Sequence, residues 1–195
     1  MKIIGLCGGS GSGKGAVSAI FAEIGLVCLD TDKVYHEIIS TDSECTIELI
    51  EAFGEKVHAH PGIDRRALRE IVFSSNEKRL RLNAIAHKHV INAVKKTISE
   101  SKNAPGFIID APLLFESRLN EICDVTLCVI ADDDARLARI VARDGLTVDE
   151  AKARIAAQIP NEVLIEKCTY SIENNSDIDS LRDNVLQLKS LIFDN

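Results

Sequence analysis

The sequence lacks any apolar run approaching the roughly 20 residues that a membrane-spanning helix needs. Its first residues lead straight into a strand-like segment, without the charged and cleavable regions of a signal peptide. It also contains no internal repeat and no low-complexity segment. With 46% hydrophobic and 27% charged residues in 195, the composition is typical of a soluble chain that buries one core. We therefore expect a cytoplasmic protein with no membrane partner.

Positive charge is also scarce, since 23 Lys and Arg face 30 Asp and Glu and leave a net charge of -7. Nucleic-acid binding depends on a broad positive surface, so we expect no nucleic-acid partner. One stretch is an exception. Residues 64–96 carry nine basic and three acidic side chains, a net +6 against -13 for the rest of the chain.

Cysteine pairs at CxxC spacing are missing, although the chain has six cysteines. Four of them, Cys7, Cys28, Cys123 and Cys128, lie in or beside apolar strand candidates. The histidines do not complete a ligand set at zinc-finger spacing, and His58 and His60 are expected in a loop. Reduced, buried thiols are therefore expected rather than a disulfide or zinc framework.

Short apolar runs alternate with helical spacing along most of the chain. Strands are predicted at residues 2–7, 26–30, 107–110 and 124–131, with a weaker one at 168–172. No strand is predicted between about residues 35 and 102, where the apolar spacing favours helices. Helices are also predicted at 133–143, 147–158 and 178–193. The pattern predicts an α/β fold with a five-stranded parallel sheet, helices on both faces, and ligands beyond the carboxyl ends of the strands.

A glycine-rich segment between the first strand and the first helix has Walker A spacing, with Gly8, four residues, Gly13 and Lys14. Main-chain amides from about Gly11 to Gly15 are expected to bind the phosphates, helped by the helix N-terminus, and Lys14 to bridge the β- and γ-phosphates. The alternative is a glycine-rich turn without a ligand. The predicted ATP-binding residues are Gly9, Ser10, Gly11, Ser12, Gly13, Lys14, Gly15 and Ala16.

One hydroxyl is absent from this motif, because Gly15 stands where a Ser or Thr normally binds Mg²⁺. Water can replace a lost Mg²⁺ ligand. An inactive nucleotide-binding module therefore stays an alternative, and the sequence leaves open whether Gly15 is natural or engineered. By themselves the residues predict a P-loop kinase of a small molecule.

From residue 2 to about 188, the chain resembles the dephospho-coenzyme A kinases. Five separated segments carry the resemblance: GGSGSGK at 8–14; LDTD with Asp30 and Asp32; GIDRRALREIVF with Gly62, Arg65, Leu68 and Phe73; DAPLLFE with Asp110 and Glu116; and spaced lid residues Arg136, Arg139, Arg143, Asp144 and Gln158. The LNxxxHP segment is matched at Asn83 and His87, but Lys88 replaces its proline.

The resemblance implies transfer of the ATP γ-phosphate to the ribose 3'-hydroxyl of dephospho-CoA, with ATP as donor and Mg²⁺ as cofactor. It supports Asp32 as the base that orients the attacking hydroxyl, with helix N-capping as its alternative. Asp30 has a capping or loop-positioning alternative. Asp110, at a strand end, is the predicted metal ligand, with a strand-end turn residue as alternative.

Further roles are predicted for residues outside the loop. Arg136, Arg139 and Arg143 share a helix face and are expected to close over the polyphosphate, with Arg139 also catalytic. The alternative is a solvated face paired with Asp132 and Asp133. Acceptor binding is expected from Asp32, Arg65, His87, Pro112, Leu113, Leu114 and Glu116.

The expected organisation is one P-loop kinase unit, with a core of residues 1–34, 105–131 and 159–195. A helical acceptor-binding insertion covers 35–104, and a two-helix lid covers 132–158. A monomer or weak homo-oligomer is expected. Another nucleoside or nucleotide kinase is the rival enzyme. A GTPase switch and an ABC-type ATPase are disfavoured, because the sequence has neither an NKxD nor an LSGGQ segment.

Overall fold

The structure is a computed structural model that describes residues 1–193. Its strands form one sheet in the order β2-β3-β1-β4-β5. Strand β1 pairs in parallel with β3 and with β4, and β4 pairs in parallel with β5. The predicted five-stranded parallel sheet is confirmed. The strands are β1 Lys2–Gly8, β2 Val27–Asp30, β3 Gly106–Asp110, β4 Val125–Ile130 and β5 Tyr170–Glu173.

Helices connect and follow these strands. They are α1 Lys14–Glu23, α2 Thr31–Ile39, α3 Glu44–Phe53, α4 Arg65–Phe73, α5 Asn76–Glu100, α6 Asp133–Asp144, α7 Val148–Ala156, α8 Asn161–Lys167 and α9 Ile178–Phe193. The sequence pattern did not predict α8, because its seven residues are too few to show a helical period. No helix within residues 1–193 has the length and apolar character needed to cross a bilayer.

The chain divides into two compact units. One contains residues 1–29 and the chain from Asn103 onward, and the other contains residues 30–102. In the first unit, strand residues such as Ile4, Leu127 and Val129 pack with Phe21 of α1 and Val185 of α9. A separate apolar cluster forms the core of the second unit, with members that include Ile39, Leu49, Val57, Leu68 and Ile85.

The strand register brings several polar positions to one edge of the sheet. Leu6 of β1 pairs with Asp110 at the end of β3, and Ile130 of β4 pairs with Glu173 at the end of β5. Strand β3 and most of β4 are buried on both faces, as is usual in parallel sheets. The candidate site is therefore sought among the residues at and just after the carboxyl ends of the strands.

The six cysteines are free thiols, three of them buried and three half-buried. The sulfurs of Cys7 and Cys168 lie 3.6 Å apart. The hydrogen bond with Cys168 and burial raise the pKa of Cys7, which keeps this thiol neutral.

Candidate active site

The loop between β1 and α1 has a backbone that only glycine adopts readily. Gly11 has φ 78° and Gly13 has φ 93°. A Cβ at Gly11 would lie 2.6 Å from the carbonyl oxygen of Arg136, and one at Gly13 would collide with Nδ2 of Asn174. The glycines are therefore required both by the turn and by the close approach of neighbouring residues.

Three side chains from distant parts of the chain donate hydrogen bonds to successive carbonyl oxygens of this loop. Arg136 Nε donates to Ser10 O at 3.1 Å, and Arg139 donates to Gly11 O at 3.1 Å. Asn174 Nδ2 donates to Ser12 O at 2.8 Å, and Arg139 also binds the carbonyl of Asn174 at 2.8 Å. These hydrogen bonds hold the loop through its carbonyl oxygens, and we call the side of the loop to which these carbonyls point its outer side.

The direction of these bonds determines where the loop amides point. In a trans peptide the C=O and the following N–H point in opposite directions. Because the carbonyls of Ser10 and Ser12 point to Arg136 and Asn174, the amides of Gly11 and Gly13 point to the opposite side of the loop. The loop can therefore present N–H donors to an anion, as phosphate-binding loops do.

Gln158 completes the support of the loop. Its side-chain oxygen accepts from the amide of Ser10 at 2.9 Å and from Arg136 at 2.8 Å, while its Nε2 donates to Ser10 Oγ at 2.9 Å. Ser12 Oγ is buried and has no hydrogen-bond partner within residues 1–193. This hydroxyl is an additional polar group on the phosphate loop.

Arg136 differs from the expectation that it binds the polyphosphate. Its side chain is 4% exposed, and its three nitrogens contact Ser10 O, Gln158 and Asp133. A guanidinium enclosed in this way holds the loop and does not face a ligand. The pairing with Asp133 that was the alternative for the arginine group is present for this residue.

The other two predicted lid arginines have different surroundings. Arg139 is half-buried and binds loop carbonyls, as described above. Arg143 is exposed and forms two hydrogen bonds to Asp144, at 2.7 and 2.9 Å, and Asp144 also accepts from Arg154 of α7. The hydrogen bonds from Arg143 lower the pKa of Asp144. This ion-pair group links the end of α6 to α7.

Lys14 and Asp110 form an ion pair at the carboxyl edge of the sheet. Lys14 begins α1, and Asp110 ends β3 with 7% of its surface exposed. A carboxylate here is a hard oxygen donor of the kind that Mg²⁺ prefers. Position 15 supplies no side-chain oxygen, but a Cβ built there would meet no heavy atom within 4 Å apart from its own helix backbone and chain neighbours. One carboxylate with waters therefore fits a magnesium ion.

In the second unit, the structure assigns different roles to the two predicted aspartates. Asp30 is the N-cap of α2, since its Oδ1 accepts from the amides of Asp32 and Lys33 at 3.0 and 3.1 Å. Asp32 is exposed in the first turn of that helix. The capping alternative thus applies to Asp30 and not to Asp32, whose carboxylate points to no amide of the helix end.

A cavity of about 280 Å³ lies within the second unit and combines cationic with apolar walls. Arg65 at the first turn of α4 is one of its three arginines. Burial raises the pKa of Tyr35 to about 12, so its hydroxyl remains protonated as a donor. The lining residues are Tyr35, His36, Ile39, Arg65, Leu68, Arg69, Val72, Phe73, Arg79 and Leu82.

His87 is half-buried on α5, and the described walls of the cavity do not include it. Its neighbour Lys88, which replaces the family's proline, pairs with Glu48 of α3, and His89 contacts the same carboxylate at 2.7 Å. These two hydrogen bonds, that of Lys88 first, lower the pKa of Glu48. The departure from the family pattern therefore allows α5 to continue and adds a link to α3.

One residue of the segment after β3 differs from the expectation, namely Leu114. Pro112, Leu113 and Glu116 are exposed, whereas Leu114 is fully buried. A Cβ at Gly5 would lie 3.0 Å from the Leu114 side chain, which places Leu114 in the core beside β1. The prediction that Leu114 binds substrate is therefore wrong, because a ligand cannot reach its side chain.

Sequence reasoning missed Asn174, which directly follows β5 and is 7% exposed. A polar residue at the carboxyl end of a parallel strand is a signal that could have identified it. It also missed Tyr35, Arg69 and Arg79, which only the packing of α2, α4 and α5 brings to the same cavity.

Comparison with known proteins supplies a family. The family model described as dephospho-CoA kinase matches residues 2–180. A dephospho-CoA kinase of Fusobacterium nucleatum is 43% identical over 182 residues, covering 93% of each chain. One of Carboxydothermus hydrogenoformans is 36% identical over 191 residues, covering 96% of this chain and 93% of that protein.

Solved structures agree in fold. A Thermus thermophilus protein of 32% identity superposes with a TM-score of 0.81 and covers 97% of both chains. Dephospho-CoA kinase from Campylobacter jejuni superposes with a TM-score of 0.72 at 24% identity, and the match covers 98% of this chain and 97% of that one. A shikimate kinase from Acinetobacter baumannii shares the fold, with a TM-score of 0.57 at 17% identity. The match covers 100% of this chain and 94% of the shikimate kinase.

The support from Asn174 can be measured. Replacing it by alanine removes the closest donor to the buried Ser12 carbonyl, a loss worth about 1–3 kcal/mol. We expect Asn174→Ala to weaken ATP binding by about fivefold to a hundredfold in calorimetric titration. Asn103→Ala, at an exposed loop position, should leave binding unchanged. Equal ATP affinity in both variants would contradict the supporting role.

Proposed function

The chain belongs to the dephospho-CoA kinase family and is a dephospho-CoA kinase, and we propose that its phosphate loop and its arginine-lined cavity bind the two substrates. It is an ATP-dependent phosphotransferase that acts on the ribose 3'-hydroxyl of dephospho-CoA. The observation that carries the proposal is the phosphate loop, which Arg136, Arg139, Gln158 and Asn174 hold by hydrogen bonds. Lys14, which follows this loop, pairs with Asp110. Neither a different kinase nor an inactive module is favoured, since the family match covers residues 2–180.

ATP is proposed to bind through the residues of the loop. The amides near Gly11, Gly13 and Gly15 are the donors to its phosphates, and the N-terminus of α1 adds positive potential. Lys14 places a cation where charge accumulates on the transferring group. Arg139 supports the loop through Gly11 O, and its predicted catalytic contact stays a prediction.

Asp110 is the residue proposed to hold magnesium, together with waters. Bound Mg²⁺ neutralises phosphate charge and orients the polyphosphate. Asp110 is already held by Lys14 at the end of a rigid strand, so little ordering is needed. The absent hydroxyl at Gly15 leaves the carboxylate as the main ligand supplied by the protein.

Asp32 is proposed to orient the attacking hydroxyl and accept its proton. It is exposed and is not used as a helix cap, which leaves its carboxylate available. General bases of this kind contribute about 10²- to 10⁴-fold to rates. Asp30 serves this role indirectly by fixing the first turn of α2, from which Asp32 projects.

The cavity in the second unit is the proposed acceptor site. Dephospho-CoA carries a pyrophosphate and extended apolar parts, and Arg65, Arg69 and Arg79 stand among apolar and aromatic walls. Guanidinium groups bind phosphate oxygens in pairs. Pro112, Leu113, Glu116 and His87 remain predicted acceptor contacts.

The division of the chain, its location and its oligomeric state are also proposed. Residues 132–158 form the proposed lid, and residues 35–104 the proposed acceptor insertion. Closure over both substrates would exclude water and limit wasteful hydrolysis of ATP. A cytoplasmic location and a monomer or weak homo-oligomer are proposed from the composition.

The assignment of chemistry to Asp32 is tested by turnover with ATP and dephospho-CoA, with NMR to locate the new phosphate on the ribose. We expect product at the 3'-hydroxyl, and a fall in kcat of about 10²- to 10⁴-fold for Asp32→Asn. Glu37→Gln, an exposed change on the same helix, should retain activity. Full activity in Asp32→Asn would refute its role as base, whereas phosphorylation at another hydroxyl would refute the acceptor assignment.

The acceptor cavity is tested by two adjacent arginines of α4. Both are exposed, but Arg65 lines the cavity, whereas Arg66 is not among the lining residues and pairs with Glu70 at 3.2 Å. A lost charge-assisted hydrogen bond costs about 1.5–3 kcal/mol, so Arg65→Ala should raise the KM for dephospho-CoA about tenfold to a hundredfold. Arg66→Ala should leave the KM for dephospho-CoA unchanged, and the KM for ATP should be unchanged in both variants. A KM for dephospho-CoA that is equal in the two variants would argue against the cavity.

The missing hydroxyl can be restored. Because a side chain at position 15 meets open space, Gly15→Ser should fold and should reach half-maximal rate at an Mg²⁺ concentration several-fold lower. Gly15→Ala is the control, because it adds a side chain and raises helix propensity at least as much as serine does, by up to about 1 kcal/mol, without adding a hydroxyl. If serine and alanine shift the Mg²⁺ dependence equally, the hydroxyl is not the cause.

A further inference from the structure

A cluster of two histidines and one aspartate lies in the second unit, and none of the three is among the residues that line the cavity. One ligand atom each from Asp42, His58 and His60 falls within 4.8 Å of the others. All three side chains are exposed. The three residues do not have zinc-finger spacing, because His58 and His60 are only two positions apart and Asp42 comes from the loop between α2 and α3.

The backbone holds these three residues in place. His58 pairs with Ile63 in an antiparallel bridge, and Ala59 N donates to Gly62 O at 3.0 Å, which closes a short hairpin. His58 lies in this bridge and His60 in the bend of the hairpin. The hairpin is anchored, since Ile63 N donates to Ile39 O at 2.9 Å.

Asp42 joins the hairpin from the other side. Its Oδ1 accepts from Gly62 N at 3.2 Å, while its Oδ2 lies 3.4 Å from His60 Nδ1. The loop that carries it is fixed by Thr46 Oγ1, which donates to Thr41 O at 2.6 Å. A second carboxylate, that of Glu55, lies 3.6 Å from His58 Nδ1 and can orient that ring.

We propose that Asp42, His58 and His60 form a binding site for a divalent first-row transition metal such as Zn²⁺. Two imidazoles and a carboxylate suit zinc, cobalt or nickel, whereas magnesium prefers oxygen ligands alone. Zinc bonds of about 2.0–2.2 Å place neighbouring ligands about 3.3 Å apart. The exposed side chains reach that spacing by small rotations, and water completes the coordination.

Metal binding would connect the loop between α2 and α3 to the hairpin that leads into α4. Asp64, which follows this hairpin, caps α4 by accepting from the amides of Arg66 and Ala67. The metal would thus stabilise the start of α4, independently of the phosphate loop. The site differs from the magnesium site in its ligands and in its position within the chain.

The site is tested by titrating ZnCl2 into the full chain, without an affinity tag, in chelator-treated buffer. Calorimetry should show one saturable site that excess Mg²⁺ does not occupy. In NMR spectra of the imidazole groups, Zn²⁺ should shift the ring signals of His58 and His60 and leave those of His36, His87 and His89 in place. Equal shifts of all five would show adventitious binding and overturn the proposal.

Variants identify the ligands. His58→Gln, His60→Gln and Asp42→Asn should each weaken Zn²⁺ binding by about tenfold or more, and Asp42→Asn keeps an oxygen for Gly62 N. His36→Gln, an exposed histidine of α2, is the matched control. Melting curves without metal check the fold. Unchanged affinity in His60→Gln, or sulfur-to-metal charge-transfer bands with Co²⁺, would refute the proposed ligand set.

Discussion

Hydrogen bonds to the outer carbonyls of the phosphate loop are the interactions on which the catalytic unit depends. A loop of glycines loses more conformational entropy on ordering than any other segment, so it needs external support. Arg136, Arg139, Gln158 and Asn174 supply it. Because a trans peptide has opposed C=O and N–H groups, binding the carbonyls on one side also aims amides to the other. The same contacts thus order the loop and prepare it for anions.

The supporting residues lie in the predicted lid, residues 132–158, and directly after the last strand, β5. Arg136 and Arg139 lie on α6, and Gln158 follows α7. A movement of these helices would therefore change the hydrogen bonds of the loop itself. The ion-pair group around Asp144 links α6 to α7, so the two helices are coupled. The positions of α6 and Gln158 and the order of the phosphate loop are consequently connected by direct contacts.

Two departures from the family pattern have local physical explanations. Gly15 lies in open space, so the chain tolerates the loss of a side chain there without a packing defect. Lys88 replaces a proline and pairs with Glu48, which lets α5 run unbroken from Asn76 to Glu100. Proline inside a helix removes a hydrogen bond and costs about 3 kcal/mol. The second unit therefore has an uninterrupted α5 and an additional link between α3 and α5.

The sequence by itself determined the parallel sheet, the phosphate loop, the helical insertion and the positions of Lys14 and Asp110. These features follow from local periodicity and from motif spacing, which are properties of neighbouring residues. Only the tertiary structure decided that Arg136 supports the loop, that Leu114 is core, and that Asn174 contacts Ser12. It also brought Asp42 to His58 and His60. Each of these depends on packing between segments distant in the chain, which no local pattern encodes.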